Sequence, residues 1–382
     1  MGAQCASPCR EDSIKMVGDE KGGQSKDTKF WQEKMRFSSA SQTLFNAAVK
    51  GDTTLAGAAV RGLGDPNCCS AAGYRPLQVA ISCGNQELVS LLLKAGADIN
   101  GHSKDTPPPL VLAAGNADDR DGTMFEVLLE QGADLNVAEE ISGETALTRA
   151  ADRGHYPIVH AILSRGSSGF QKLVAQRART GLQGDGATAL HLAAARGHRM
   201  ICDKLLGVGA DPSAADRKGR LPLHRATEGN HVEVSNLLLT FGSAHSAQDK
   251  EGASPLHLAA DQGSLTMADL LVRFSADVHA RRKDGLTALH LAARGGHDVL
   301  CQLFTGHGAE PNAADAQGVT PFALAFGAAH TRCCRVLLGA GAEVKALDSH
   351  RWSPPYTEFE GPGPKGKRAS QGDESPRELV GC

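Results

Sequence analysis

Imidazole binds metals and carries protons near neutral pH, so the histidines are the first side chains to weigh for chemistry. His191, His224, His257 and His290 fall 33 residues apart, each inside one recurring phrase: GATALHLAAARGH, GRLPLHRATEGNH, GASPLHLAADQGS and GLTALHLAARGGH. The ligands of one zinc ion must all come within about 2.0–2.3 Å of it. One histidine per layer, with packed layers about 10 Å apart, cannot supply that set. The spacing therefore predicts a positional role for the histidines, with no metal and no cofactor. His330, Cys333 and Cys334 stand at helical spacing, which makes one thiol a core residue by default. GPGPKGK at 361–367 matches half of a phosphate loop, but Arg368 replaces the required Ser or Thr and no strand leads in. No Ser-His-Asp or Cys-His arrangement presents itself, so the residues do not point to an enzyme.

The elements that carry these residues repeat with the same period. Leu44, Leu77, Leu110, Leu147, Leu190, Leu223, Leu256, Leu289 and Phe322 are spaced 33, 33, 37, 43, 33, 33, 33 and 33, which gives nine units. One more step reaches Pro355 inside WSPPY, read as a truncated tenth unit. Thr188, Ser254, Thr287 and Thr320 are suitable N-caps, with hydroxyls able to accept from a first-turn N–H. Pro255 and Pro321 fit the first helical position, where a missing N–H costs nothing. Gly197, Gly263 and Gly296 supply the left-handed residue that ends the helix, and Asn230 does so less easily. A second helix follows, then a polar turn with glycine at its fourth place: Gly219, Gly252, Gly285 and Gly318. Helices this short are marginal alone and need stacked neighbours to bury a continuous core.

These units resemble ankyrin repeats, whose phrase is Asp-x-x-Gly-x-Thr-Pro-Leu-His-x-Ala-Ala, over roughly residues 40 to 347. The resemblance implies an all-α solenoid of helix-turn-helix units with hairpin-like finger loops, and a histidine that hydrogen-bonds backbone. The outer and some inner units depart from the phrase: Gln78, Val111, Thr148 and Ala323 stand in the histidine place. The domain reading is a disordered tail at 1–28, a cap and repeats one to four at 29–166, and an insertion at 167–184. Repeats five to nine with the truncated tenth occupy 185–356, and a Gly-, Pro- and charge-rich tail at 357–382 reads as disordered. In the cap, Phe30, Trp31, Lys34 and Phe37 recur at helical spacing.

Composition narrows the partners. Net charge is −3 and aromatics make up 4% of the chain, which argues against nucleic acid and fits a thin two-helix layer. The ten cysteines form no secreted framework, and neither a membrane span nor a signal peptide is evident, which suggests a reducing cytosol or nucleus. About 40 residues precede the repeats and about 35 follow, short of the ~50 residues of a small extra domain. The step of 37 comes from the acidic GNADDRDG stretch at 115–122. The step of 43 comes from 165–184, where Phe170, Leu173, Val174 and Arg177 have helical spacing and Lys172 and Arg179 add charge. That insertion reads as a lengthened loop or extra helical turn. The alternative is a joint with a basic segment free for a partner.

In ankyrin proteins partners are gripped by fingers and first helices on the concave face. Here those positions are Arg217, Lys218, Arg220, Glu228, Lys250, Asp261, Gln262, Arg282, Lys283 and Arg294, with Arg281 beside them. The basic fingers suit an acidic protein segment, and an ordinary solvated surface is the plainer alternative. At the N-terminus, MGAQCASPC resembles a myristoylation signal at Gly2, although Ala6 replaces the preferred Ser or Thr. Cys5 and Cys9 are available for a second, palmitoyl chain that stable anchoring needs. KRAS at 367–370 is similar to a basophilic kinase site, with Ser370 as acceptor. The reading is a monomeric, non-enzymatic scaffold or adaptor, tethered by lipid at a cytoplasmic membrane face. The alternative is a soluble regulatory or substrate-recruiting subunit, such as an inhibitor or a ubiquitin-ligase-type adaptor.

Overall fold

The computed structural model describes residues 39–116, 121–165, 173–178 and 186–344, and these contain eighteen α-helices and no strand. They are α1 Ser39–Lys50, α2 Thr53–Arg61, α3 Pro76–Ser82, α4 Gln86–Lys94, α5 Pro109–Gly115, α6 Thr123–Glu130, α7 Ala146–Arg153, α8 Tyr156–Arg165 and α9 Ala189–Arg196. Then follow α10 Arg199–Gly207, α11 Pro222–Glu228, α12 Val232–Thr240, α13 Pro255–Gln262, α14 Leu265–Arg273, α15 Ala288–Arg294, α16 Asp298–Gly306, α17 Pro321–Gly327 and α18 Thr331–Gly339. The chain divides into two compact units, residues 1–217 and 218–382.

Each unit is a stack of helix pairs. In the first, α1, α3, α5, α7 and α9 pack in sequence, and in the second α11, α13, α15 and α17 do the same. The second helix of each pair forms a parallel row behind, α12, α14, α16 and α18 in the second unit. The period-marking residues all face inward, from Leu44, Leu147, Leu223 and Leu289 at 0% exposure to Phe322 at 8%. Alanines such as Ala193, Ala259, Ala260 and Ala292 beside them are fully buried, so small side chains let neighbouring backbones approach.

Local chemistry sets the boundaries. Pro255 and Pro321 open α13 and α17 as the sequence suggests. Thr287 and Thr320 accept from the third helical N–H at 3.4 and 3.3 Å. Thr188 and Ser254 make no such bond; their hydroxyls lie instead 2.9 and 2.8 Å from the Nδ1 of His191 and His257. Gly263 ends α13 at φ +71°, and a Cβ there would meet the His297 ring at 2.3 Å. Left-handed backbone and lack of space both call for glycine here. Asn230 takes the same role at φ +54°.

The 165–184 insertion is partly described. Leu173 and Val174 are buried, and the Arg177 guanidinium donates to the Ala215 carbonyl within the first unit. In a regular finger the Asp249 N–H donates to the Ala253 carbonyl at 2.9 Å. Here the Ala178 N–H donates to the Ala187 carbonyl at 2.9 Å, so the same closure spans nine positions instead of four. Phe170, Lys172 and Arg179 lie outside the described residues, as do the N-terminal cap and the truncated tenth unit. The acidic stretch falls between α5 and α6, where the sequence puts it.

Candidate partner-binding surface

The repeated histidines hold the frame on which the surface is built. His224, His257 and His290 are buried, and each Nδ1 lies 3.1–3.2 Å from the N–H of the residue capping its own helix: Leu221, Ser254 and Thr287. An N–H can only donate, so Nδ1 is the bare nitrogen and Nε2 carries the proton. That Nε2–H donates to the carbonyl of Ala253, Leu286 or Val319 in the next unit, at 3.2, 3.1 and 3.1 Å. With both nitrogens engaged, no lone pair is left for a metal. Burial lowers all three pKa values from the usual histidine range, that of His257 to about 4.

A second ladder, not anticipated from the sequence, runs along the ends of the first helices. Asn85, Asn116, His155 and His198 donate to the carbonyls of Gly51, Ile81, Ala114 and Asp152 of the preceding pair at 3.0–3.3 Å. In the second unit His330 donates to Arg294 at 3.1 Å. The signal was present as the Gly-His or Gly-Asn that follows several first helices.

These ladders align the fingers, and the fingers also pair directly. The Lys250 N–H donates to the Lys218 carbonyl at 2.9 Å, Lys283 to Glu251 at 3.1 Å, and Ala316 to Asp284 at 3.0 Å. Each turn is braced from within. Asp249 Oδ1 accepts from the N–H groups of Glu251 and Ala253 at 3.0 and 2.8 Å, and Asp315 Oδ1 does the same for Gln317 and Val319 at 2.9 and 2.8 Å. Arg282 occupies the aspartate place in the finger between them, where Asp284 Oδ1 takes the Leu286 N–H at 3.1 Å instead.

The ten positions named from the sequence separate into two kinds. Arg217 closes the first unit and Lys218 opens the second; both are exposed. Arg220 is half-buried and bridges Glu228 to Asp249, the latter at 3.2 Å with its side chain 1% exposed. Glu228 also meets Arg225 at 3.5 Å, and its carbonyl accepts from the Gln262 amide at 2.8 Å. Arg282 pairs with Asp284 at 3.4 Å, and Arg294 with Asp261 at 2.7 Å. These cations are largely neutralised by their own surface. Lys250, Arg281 and Lys283 are exposed and have no ion-pair partner among the described residues. Gly2, Cys5, Cys9 and Ser370 lie outside the described residues.

Among the described residues, no group of three His, Cys, Asp or Glu side chains is placed to hold a metal. The described cysteines are free thiols, and burial pushes Cys68 and Cys202 up to about 12. None of the described helices is long and apolar enough to cross a membrane.

A family model for ankyrin repeats matches in overlapping segments at residues 44–139, 110–216, 165–249, 190–282 and 256–348. The chain belongs to the ankyrin-repeat family. Among similar proteins is the nuclear factor NF-kappa-B p105 subunit of Gallus gallus, 35% identical over 170 residues, 36% of this chain and 16% of that protein. Ankyrin repeat domain-containing protein 63 of Homo sapiens is 32% identical over 177 residues, 38% of this chain and 46% of its own length. The B-cell lymphoma 3 protein homolog of Mus musculus is 38% identical over 96 residues, 25% of this chain and 20% of its own. The matches thus span less than half of these relatives. Membership supports a protein-interaction module.

Proposed function

We propose that this ankyrin-repeat chain is a non-enzymatic scaffold or adaptor that holds an acidic segment of a protein partner on the fingers of its second unit. The observation that carries the reading is the exposure of Lys250, Arg281 and Lys283 on finger turns locked to one another through backbone. A pre-ordered surface loses little entropy on binding, and unpaired cations steer an acidic partner towards it. Arg220, Arg282 and Arg294 contribute through the turns and pairs that they brace. Affinity capture with Lys250→Glu/Lys283→Glu tests this. The variant is expected to lose the partners that the unchanged chain retains, with thermal unfolding unaltered. An unchanged set at unchanged yield would rule out the fingers.

The N-terminal residues favour cytoplasmic membrane tethering as a companion property. Gly2 suits myristate, and Cys5 and Cys9 suit a second acyl chain, because one myristoyl group binds membranes only marginally. Labelling with alkyne analogues of myristate and palmitate should mark the chain. Gly2→Ala should abolish the first label and release the protein from membranes; a labelled Gly2→Ala form rules myristate out. The alternative, a soluble regulatory subunit, is favoured by a relative that is itself named a subunit of a nuclear factor. A fully cytosolic wild-type chain would select it.

A further inference from the structure

Lys250 and Lys283 occupy the same place in successive fingers, 33 residues apart. The Lys283 N–H donates to the carbonyl of Glu251, the residue next to Lys250. Equivalent finger positions are one repeat layer apart, and the first helices of successive repeats pack directly on one another, so the separation is that of packed helices, roughly 8–10 Å.

That separation selects among backbone conformations a partner could present. In a β-strand, residues on one face recur at about 6.8 Å or about 13.6 Å, and neither matches. A polyproline II helix rises about 3.1 Å per residue with three residues per turn, so positions i and i+3 share a face at about 9.3 Å. An α-helix matches at i and i+7, but it needs an apolar groove to hold it. The turn residues beside the two lysines are Gln248, Glu251, Asp284, Ala316 and Gln317, which offer none.

Resting on the proposed scaffold role, we infer that the fingers of the second unit read an extended, proline-rich segment carrying an acidic residue at every third position. One carboxylate meets Lys250 and the next meets Lys283, with Arg281 beside the second. The neighbouring row of the fingers carries Glu251, exposed, and Asp284, held by Arg282 at 3.4 Å. Those carboxylates repel acids at the intervening positions, so a spaced pattern is preferred over a continuous acidic run.

Two synthetic peptides of identical composition test this by fluorescence anisotropy with the full chain. One carries Asp-Pro-Pro repeated four times; the other places the four aspartates together within the same prolines. The spaced peptide is expected to bind at least tenfold more tightly at low salt. Lys250→Ser and Lys283→Ser should each reduce that ratio to near one. Equal affinity for the two peptides, with both weakened by Lys283→Ser, overturns the spacing rule but leaves the finger surface standing. No binding of either peptide, or binding indifferent to both substitutions, overturns the rule and the surface together.

Discussion

His257 joins its own helix cap to the next finger, and the departures at its place in other units show which bonds matter. Gln78 reproduces the arrangement: its Oε1 accepts from the Arg75 N–H at 2.7 Å, and its Nε2 donates to the Pro107 carbonyl at 2.8 Å. Thr148 keeps only the near half, accepting from the Thr145 N–H at 2.8 Å. His257→Gln should therefore cost little. His257→Ala orphans the buried Ser254 N–H, at a cost of about 1–3 kcal/mol, while the Leu286 carbonyl keeps the Arg282 N–H at 2.9 Å, and urea unfolding reads the difference. The same burial makes stability pH-dependent. His257 is neutral when folded down to about pH 4, whereas an unfolded histidine takes a proton near 6.5. The unfolded chain thus binds more protons between these values, and stability falls as pH is lowered through them. The slope is about 1.4 kcal/mol per pH unit for each such histidine. A midpoint in urea that does not change between pH 7 and 5 contradicts this. Thiol reagents give a third check: Cys83, exposed, should label in the native state, while buried Cys202 and Cys301 label only on unfolding.

At the level of elements, the left-handed glycines that follow the helices are not equivalent. Gly308 has φ +89° with nothing within 4 Å of an added Cβ, whereas Gly263 at φ +71° has the His297 ring against it. Gly308→Ala should cost only the backbone strain, about 1 kcal/mol. Gly263→Ala must also displace the ring and should cost more; equal losses in thermal unfolding would show that the ring moves freely. Helix positions, the proline starts and the glycine stops were legible because each follows from local chemistry that one unit contains. The pairing of Ala178 with Ala187 was not. The ten-residue excess gives no sign of where it divides until the pairing partner of Ala178 is known.

Across the whole molecule, stability of a repeat stack is a sum of units and nearest-neighbour couplings. Coupling through the histidine place is absent at Val111 and Ala323, which carry no side-chain donor. Amide exchange should accordingly be fastest in α17 and α18, which also carry the exposed Phe326 and Leu338, and slowest in α13 and α15. Uniform protection along the second unit would refute this gradient.

The 33-residue period by itself determined the fold and the role of its histidines, because a unit that cannot bury its own core must stack on copies of itself. It also identified the finger residues, since register alone places them. Only the tertiary structure decided which finger cations remain available. The partners of Arg220 at Glu228 and Asp249, of Arg282 at Asp284, and of Arg294 at Asp261 depend on how turns and helices are brought together. An ion pair is a matter of a few ångströms in space, and a repeat spacing read along the chain fixes layers without fixing those distances. That is why Lys250, Arg281 and Lys283 stand out as exposed cations without an ion pair among the described residues only once the fingers are folded.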